Sequence, residues 1–303
     1  MPALNDALLF CSQRGNGSCL PEAVLIRSHG LMISRSSKVE QFRALHKAGC
    51  FVIPNPWDVA GARVMVGIGF KALATTSSGY AFSRGKKDGA GEIGRDESLS
   101  YAAEIAASTD VPVTADLEDG YANTPGGVAE TVRLAADAGL AGLSIEDRQP
   151  NSSQPIRDFE AAVARIAAAA EAAKRYNIVL TARADGLGKG VHDLKETIRR
   201  LKAFEALGAD VLYAPGVPDL LGLQTICRSV SSPVNHVLGQ GVSGLSMLQI
   251  AEAGVRRISL GGSLARAVGG MLLNTCEQIA VGNFSELERA PAWNALRSPK
   301  PPM

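Results

Sequence analysis

The sequence has few cysteines and aromatic residues, no excess of charge and no long apolar run. Its 303 residues include five cysteines without a Cys-x-x-Cys pair, which argues against a disulfide framework or a zinc site and indicates a reducing, cytoplasmic compartment. Basic residues number 31 and acidic residues 30, so nothing points to nucleic acid or an anionic membrane as a partner. No apolar stretch reaches membrane-spanning length, and the N-terminal segment does not resemble a signal peptide.

The hydrophobic share is nevertheless 46%, which is enough to bury a large core. Residues 1–33 carry little periodicity, and we expect them to form a loosely ordered extension. Residues 34–285 carry regular apolar patterns. We expect them to form one catalytic domain, because α/β barrels of this length are commonly single domains. Residues 286–303 form a proline-rich C-terminal tail.

Eight short apolar segments, each followed by a helical pattern, organise the domain. Four of the intervening helices stop at a glycine just before the next segment, at Gly69, Gly139, Gly208 and Gly254. Neighbouring parallel strands need crossover helices, and eight such units close into a barrel. An open doubly wound sheet is the alternative, but no G-x-G-x-x-G follows the first strand. We therefore predict an α/β fold, a (β/α)8 TIM barrel with eight parallel strands and an extra N-terminal helix.

The third predicted strand ends in a cluster of acids. Asp116, Glu118 and Asp119 follow an apolar segment directly, and Gly120 then allows a sharp turn. Three carboxylates this close repel one another unless a cation lies among them. Mg²⁺ takes oxygen ligands and keeps several waters that a substrate can displace. A solvated acidic loop is the alternative.

Other polar residues follow the remaining strands, where TIM barrels carry their catalytic groups. Glu146 ends the fourth strand and Arg183 the fifth. An arginine can hold a substrate carboxylate with two parallel hydrogen bonds, although an ion pair with Glu146 would also explain Arg183. Side chains alternate along a strand, so one of Asn235 and His236 points inward, and Asn235 is the preferred substrate contact.

Four segments together resemble the isocitrate lyase and phosphoenolpyruvate mutase superfamily. They are Thr76-Ser-Ser-Gly79, Ala115-Asp-Leu-Glu-Asp-Gly-Tyr121, Ser144-Ile-Glu-Asp147 and Thr181-Ala-Arg183. The resemblance covers roughly residues 36–282 and is strongest to the carboxyvinyl-carboxyphosphonate phosphorylmutase and oxaloacetate decarboxylase branches. It implies a (β/α)8 barrel, a homotetramer built as a dimer of dimers with exchanged C-terminal helices, and Mg²⁺, or alternatively Mn²⁺, held largely through water.

The same resemblance assigns roles to individual residues. It makes Asp116 the direct metal ligand, with Glu118 and Glu146 in support. Glu146 would also take part in catalysis. It places Ser78, Gly79, Tyr80 and Arg183 against the substrate and gives all four a part in catalysis. Asp88 would also contact the substrate, as a gating acid in a flap over residues 83–96.

One departure from the superfamily bears on function. Members that cleave isocitrate or methylisocitrate carry a cysteine acid after the fourth strand, whereas residues 148–155 contain neither cysteine nor histidine. We therefore expect a Mg²⁺-dependent lyase that cleaves a C–C bond in a small 2-oxo or 2-hydroxy dicarboxylate through a metal-stabilised pyruvate enolate, reprotonated by water or Tyr80. The alternatives are P–C chemistry, as a phosphonopyruvate hydrolase or phosphoenolpyruvate mutase, and a non-catalytic barrel that binds an oxo acid.

Overall fold

The computed structural model describes residues 26–27, 30–31, 33–150, 152–299 and 301. Residues 1–32 and 33–303 form two separate compact units. In the first unit, β1 (Ile26–Arg27) and β2 (Gly30–Leu31) form an antiparallel pair. Most of the predicted N-terminal extension lies outside the described residues, so its expected loose order stays a prediction.

The second unit is an eight-stranded parallel barrel. The strand order around it is β3-β10-β9-β8-β7-β6-β5-β4, and the N–H of Ala74 donates to the carbonyl of Pro54 (3.0 Å) across the remaining gap between β4 and β3. The predicted (β/α)8 TIM barrel is confirmed. The strands are β3 (Phe51–Ile53), β4 (Leu73–Ala74), β5 (Val113–Asp116), β6 (Gly142–Glu146), β7 (Val179–Arg183), β8 (Val211–Tyr213), β9 (Val234–Val237) and β10 (Arg257–Ser259).

Helices alternate with these strands, and polar caps fix most of their starts. The side chains of Asp58, Thr124, Asp158, Asp193 and Asp219 each accept a backbone N–H in the first turn of the helix that follows, as Asp and Thr do at N-caps. The helices are α1 (Arg35–Leu45), α2 (Val59–Ile68), α3 (Ser77–Ser83), α4 (Arg95–Ala107), α5 (Pro125–Asp137), α6 (Phe159–Arg175), α7 (Leu194–Ala206), α8 (Leu220–Ser229), α9 (Met247–Glu252), α10 (Ser263–Ala280), α11 (Ser285–Glu288) and α12 (Trp293–Arg297).

The segment after β4 forms a short helix. This helix, α3, begins at Ser77. Thr76 is extended and its Oγ1 accepts the N–H of Gly79 (3.3 Å), so a threonine N-cap starts the helix. The C-terminal tail also contains the short helices α11 and α12.

The predicted N-terminal helix, α1, closes one end of the barrel. Val39 and Phe42 of α1 are fully buried and pack against Ile53, Val179 and Val211 from the barrel strands. Because this apolar layer fills the N-terminal end of the strands, the polar strand ends lie at the opposite face. In the part of the chain that the structure describes, no helix combines the length and apolar character needed to cross a membrane.

Candidate active site

The C-terminal strand ends bring three predicted site residues together. Glu146 and Arg183 are partners in the β6–β7 ladder, and Arg183 Nη1 lies 3.1 Å from Glu146 Oε2 as an ion pair. The same nitrogen lies 4.0 Å from Asp116 Oδ1 on β5. All three side chains have most of their surface buried. The predicted convergence of neighbouring strand ends is therefore present.

Arg183 is held by more than the expected partner. Its Nε and Nη2 donate to the two carboxylate oxygens of Asp185, the second at 3.0 Å, and its guanidinium lies 4.9 Å from the centre of the Tyr213 ring. Burial opposes the charge of Arg183, but the Asp185 and Glu146 carboxylates raise its pKa well above the usual value. The ion pair with Glu146 that the sequence left open is thus present in the structure.

Asp116 is oriented by two serines and keeps part of its surface open. Ser77 Oγ donates to Oδ2 (3.0 Å) and Ser144 Oγ donates to Oδ1 (3.3 Å). The backbone N–H of Asp116 donates to Thr75 Oγ1 (3.0 Å). Its side chain remains 20% exposed. The carboxylate is therefore fixed in direction while a ligand can still reach it.

Glu118 lies in a turn with unusual backbone angles. Its φ is 47° and that of Tyr121 is 52°, a left-handed region that non-glycine residues rarely occupy and that costs about 1–3 kcal/mol per residue. The Tyr121 hydroxyl donates to Glu118 Oε1 (3.0 Å). Burial and then the Asp116 charge raise the pKa of Glu118 to about 7. The turn therefore holds a second acid close to the first.

Asp119, the third acid of the cluster, belongs to a different part of the structure. Its Oδ2 lies 2.8 Å from Arg157 Nη2 and 3.5 Å from Arg165 Nη2, and its Oδ1 accepts the N–H of Tyr121 (3.1 Å). These contacts fix the base of the turn that carries Glu118. Sequence spacing alone could not separate this structural acid from its neighbours.

The site holds more carboxylates than guanidinium groups, and this donor set fits a divalent cation. Partial removal from water and then the Asp116 charge raise the pKa of Asp88. Burial raises the pKa of Glu146 well above its usual value, against the opposing charge of Arg183. Nowhere in the described ranges do three acidic, histidine or cysteine side chains gather as a complete metal shell. Mg²⁺ is usually bound by one or two carboxylates and otherwise by water, and the oriented, partly exposed Asp116 carboxylate could supply such a ligand.

A narrow cavity of about 60 Å³ opens between these groups. Its walls include Asp116, Arg183, Tyr213 and Asn235. Of the two alternating residues, Asn235, the preferred contact, lines this cavity, and its amide donates to Ser259 Oγ (2.9 Å). The strand ends therefore enclose a polar space next to the acids.

The predicted substrate residues on α3 lie apart from this cavity. Ser78 and Asp88 line a larger space of about 840 Å³ beside α10. Gly79 is buried, and a Cβ added there would lie 2.6 Å from Thr76 Cγ2, so the position has no room for a side chain. Tyr80 stacks on Tyr101, with ring centres 3.8 Å apart, and its hydroxyl donates to Glu97 (3.4 Å). The proposed substrate roles of these residues stay predictions.

Sequence reasoning did not assign roles to Arg148 and Asp185. Arg148 Nη1 lies 3.4 Å from Glu146 Oε1, and its Nε lies 3.9 Å from Asp185 Oδ2. Each residue stands two positions after a predicted site residue, the spacing that returns a side chain to the same face of an extended chain. This two-residue spacing could have identified both residues from the sequence. Arg148 also contacts Gly89 of the flap, where an added Cβ would lie 2.6 Å from Nη2.

Comparison with known proteins identifies the family of the chain. A family model described as phosphoenolpyruvate phosphomutase matches residues 42–280. The chain belongs to the phosphoenolpyruvate mutase family. This family lies within the isocitrate lyase and phosphoenolpyruvate mutase superfamily that the four motifs resemble, so the predicted relationship is confirmed.

Three relatives show how this family member compares with others. A Burkholderia cenocepacia protein with a known crystal structure is 44% identical in sequence to this chain, and the two structures match with a TM-score of 0.84. The match covers 89% of this chain and 99% of that one, which is described only broadly, as a lyase or mutase. An uncharacterized Mycobacterium tuberculosis protein is 34% identical, over 73% of this chain and 81% of its own. The oxaloacetate decarboxylase of Marinomonas is 28% identical, over 71% of this chain and 76% of its own.

Proposed function

We propose that this family member is a Mg²⁺-dependent carbon–carbon lyase for a small 2-oxo or 2-hydroxy dicarboxylate. Oxaloacetate, which would be decarboxylated to pyruvate, is the first substrate to test. The observation that carries the proposal is the meeting of Asp116 and Arg183 at one cavity, with Glu146 paired to Arg183 beside it. The likeness to oxaloacetate decarboxylases supports the choice of substrate.

Asp116 would hold the ion directly, with Glu118 and Glu146 in support. Bound there, Mg²⁺ supplies a Lewis acid that polarises a carbonyl oxygen. The serine hydroxyls on Asp116 keep its two oxygens aimed, and the Tyr121 hydroxyl does the same for Glu118. Mn²⁺ prefers a similar oxygen-rich set of ligands, so we expect it to substitute.

The chain's own residues would bind and orient the substrate. Arg183 and Arg148 place two positive groups beside the acids, and either can attract a substrate carboxylate. In decarboxylation the bond to the departing CO₂ breaks, and its electron pair moves toward the 2-oxo oxygen to give an enolate. Burial raises the pKa of the Tyr213 hydroxyl, against the opposing charge of Arg183. Tyr213 is therefore protonated at neutral pH and lines the cavity, so it could give a proton to the enolate that the proposed reaction would form.

The decisive experiment follows pyruvate release from oxaloacetate with Mg²⁺ present and after chelation. We expect Asp116→Ala to lower kcat/KM at least about 100-fold, since a Lewis-acid contact supplies several kcal/mol. Asp137→Ala is the matched control, because the Asp137 side chain is 59% exposed and lies at the C-terminal end of α5, outside the flap and the cavity. If Asp116→Ala were as active and as responsive to Mg²⁺ as the parent, the proposal would fail.

P–C bond chemistry is the second candidate, because the matching family model is that of phosphoenolpyruvate phosphomutase. Release of phosphate from phosphonopyruvate, with no turnover of oxaloacetate, would favour it. Mg²⁺-dependent binding of both compounds without turnover of either would instead indicate a non-catalytic binding barrel.

We also propose that the chain forms a homotetramer with exchanged C-terminal helices. On α10, Met271, Leu272 and Leu273 are each more than half exposed. Contiguous exposed apolar side chains of this kind mark interaction surfaces. A second copy of the chain would cover them.

A further inference from the structure

The active-site cavity continues past the acids to an arginine on β10. The Arg257 side chain crosses the barrel interior: its Nε donates to Asn235 Oδ1 on β9 (2.7 Å), and its Nη2 donates to Thr181 Oγ1 on β7 (3.2 Å). All three residues line the same cavity as Asp116 and Arg183. The guanidinium therefore belongs to the inner wall of the site.

Arg257 is a buried cation among neutral neighbours. Its surface is only 5% exposed, and no carboxylate from the described ranges pairs with it, whereas Arg183 pairs with several. Its Nη1 has no hydrogen-bond partner. Burial lowers the pKa of Arg257 to about 10, against a small opposing effect of Tyr213. The group therefore stays charged at neutral pH, and an unpaired buried charge is costly.

Two hydroxyl groups near Arg257 can still donate a hydrogen bond. Thr181 Oγ1 accepts from Arg257, and Ser259 Oγ accepts from Asn235. Each of these two hydroxyl oxygens already accepts a bond, and each hydroxyl hydrogen is free to donate into the cavity. Together with Nη1 of Arg257 they form a set of donors around a positive charge, which is the chemistry of an anion site.

The dimensions suit one small anionic group. The cavity of about 60 Å³ is about four times the roughly 10–15 Å³ that one water requires, which leaves room for the three heavy atoms of a carboxylate. Thr181 stands two residues before Arg183 on β7, so the two residues lie roughly 6.6 Å apart along the strand. That spacing is comparable to the span of a four-carbon dicarboxylate.

We propose that Arg257, Thr181 and Ser259 bind one carboxylate-like anionic group at the inner end of the cavity. The group has two possible sources. One is the second carboxylate of a dicarboxylate substrate, and this source rests on the proposed function. The other is a free small anion such as formate, which would stabilise the barrel without taking part in the reaction.

The first source is tested with two ligands that differ only in the second carboxylate. Malate and lactate are both 2-hydroxy acids, and their affinities for the full chain are measured by calorimetry in the presence of Mg²⁺. If the substrate supplies the group, Arg257→Met weakens malate binding at least about 30-fold, as expected when a buried charge pair is truncated, and changes lactate binding less than about threefold. Arg256→Met removes a neighbouring charge from the same segment and leaves both affinities unchanged.

The second source is tested by thermal unfolding in sodium formate at constant ionic strength. A free anion bound to the folded state raises the Tm of the parent and of Arg256→Met as formate increases, and leaves the Tm of Arg257→Met unchanged. Circular dichroism checks the fold of each variant. Arg257→Lys, which keeps the charge and loses the planar fork, replaces Arg257→Met if the latter does not fold.

The two tests separate failure of the anion site from failure of the proposed function. Loss of both the malate preference and the formate effect in Arg257→Met would identify an anion site open to both sources. Equal changes in malate and lactate affinity, together with no selective formate effect, would overturn the proposal. If the parent turned over no oxaloacetate and bound neither hydroxy acid, the proposed function would fail, and the formate experiment would still decide for or against the anion site.

Discussion

Substitution of Asp119 should destabilise the barrel strongly although this acid lies outside the cavity. Its carboxylate contacts Arg157 at 2.8 Å and Arg165 at 3.5 Å, and its exposed fraction is 5%. The pKa of Arg165 is lowered to about 10 by burial and by the Arg157 charge, and Asp119 is the group that opposes this. Asp119→Asn keeps an acceptor for the Tyr121 N–H but leaves both guanidinium groups without their counterion.

We expect a loss of about 3–5 kcal/mol in the free energy of unfolding, the cost of removing one partner from a buried ion pair. For a domain of this size, the corresponding fall in Tm is about 10 °C. Urea unfolding followed by circular dichroism measures the free energy, and a thermal scan measures Tm. The same loss should loosen the turn that holds Glu118 and so raise the Mg²⁺ concentration needed for half-maximal activity.

Asp137→Asn is the matched control. Asp137 also pairs with an arginine, Arg133, but its side chain is 59% exposed, and exposed pairs contribute about 0–1 kcal/mol. The reasoning would be refuted if Asp119→Asn destabilised the protein no more than Asp137→Asn does.

Two further predictions concern acid stability and assembly. Burial and then the Arg257 charge lower the pKa of His46 to about 3. Below about pH 6.5 the unfolded imidazole therefore takes up a proton while the folded one does not, and the protein loses stability as pH falls from 6.5 toward 3. This loss should be smaller in His46→Leu, and an unchanged pH slope in urea unfolding would contradict the prediction. Sedimentation should show that the parent is a tetramer. Leu272→Glu should dissociate it, because Leu272 is 62% exposed on the apolar face of α10, and Glu277→Gln should leave it intact. A monomeric parent would contradict the proposed assembly.

The number and order of the barrel strands, and the residues at their ends, could be predicted from the sequence. Helix caps and apolar runs act over a few residues, so local patterns were enough to predict eight strand–helix units. The alternation of side chains predicted that only one of Asn235 and His236 faces the interior, and left the choice between them open. Placement of Asp116, Glu146 and Arg183 at one face followed from the fold class, because all parallel strands of a barrel end on the same side.

Tertiary structure alone decided the partner of each charged group. Asp119 is a structural acid because Arg157 and Arg165, about 40 residues later in the sequence, fold against it. Arg257 reaches Thr181 only because the sheet closes and brings β10 opposite β7. Electrostatic energies depend on distance and burial rather than on position in the chain. For that reason the composition of the acidic cluster could be predicted from the sequence, while the division of its members between fold and site could not.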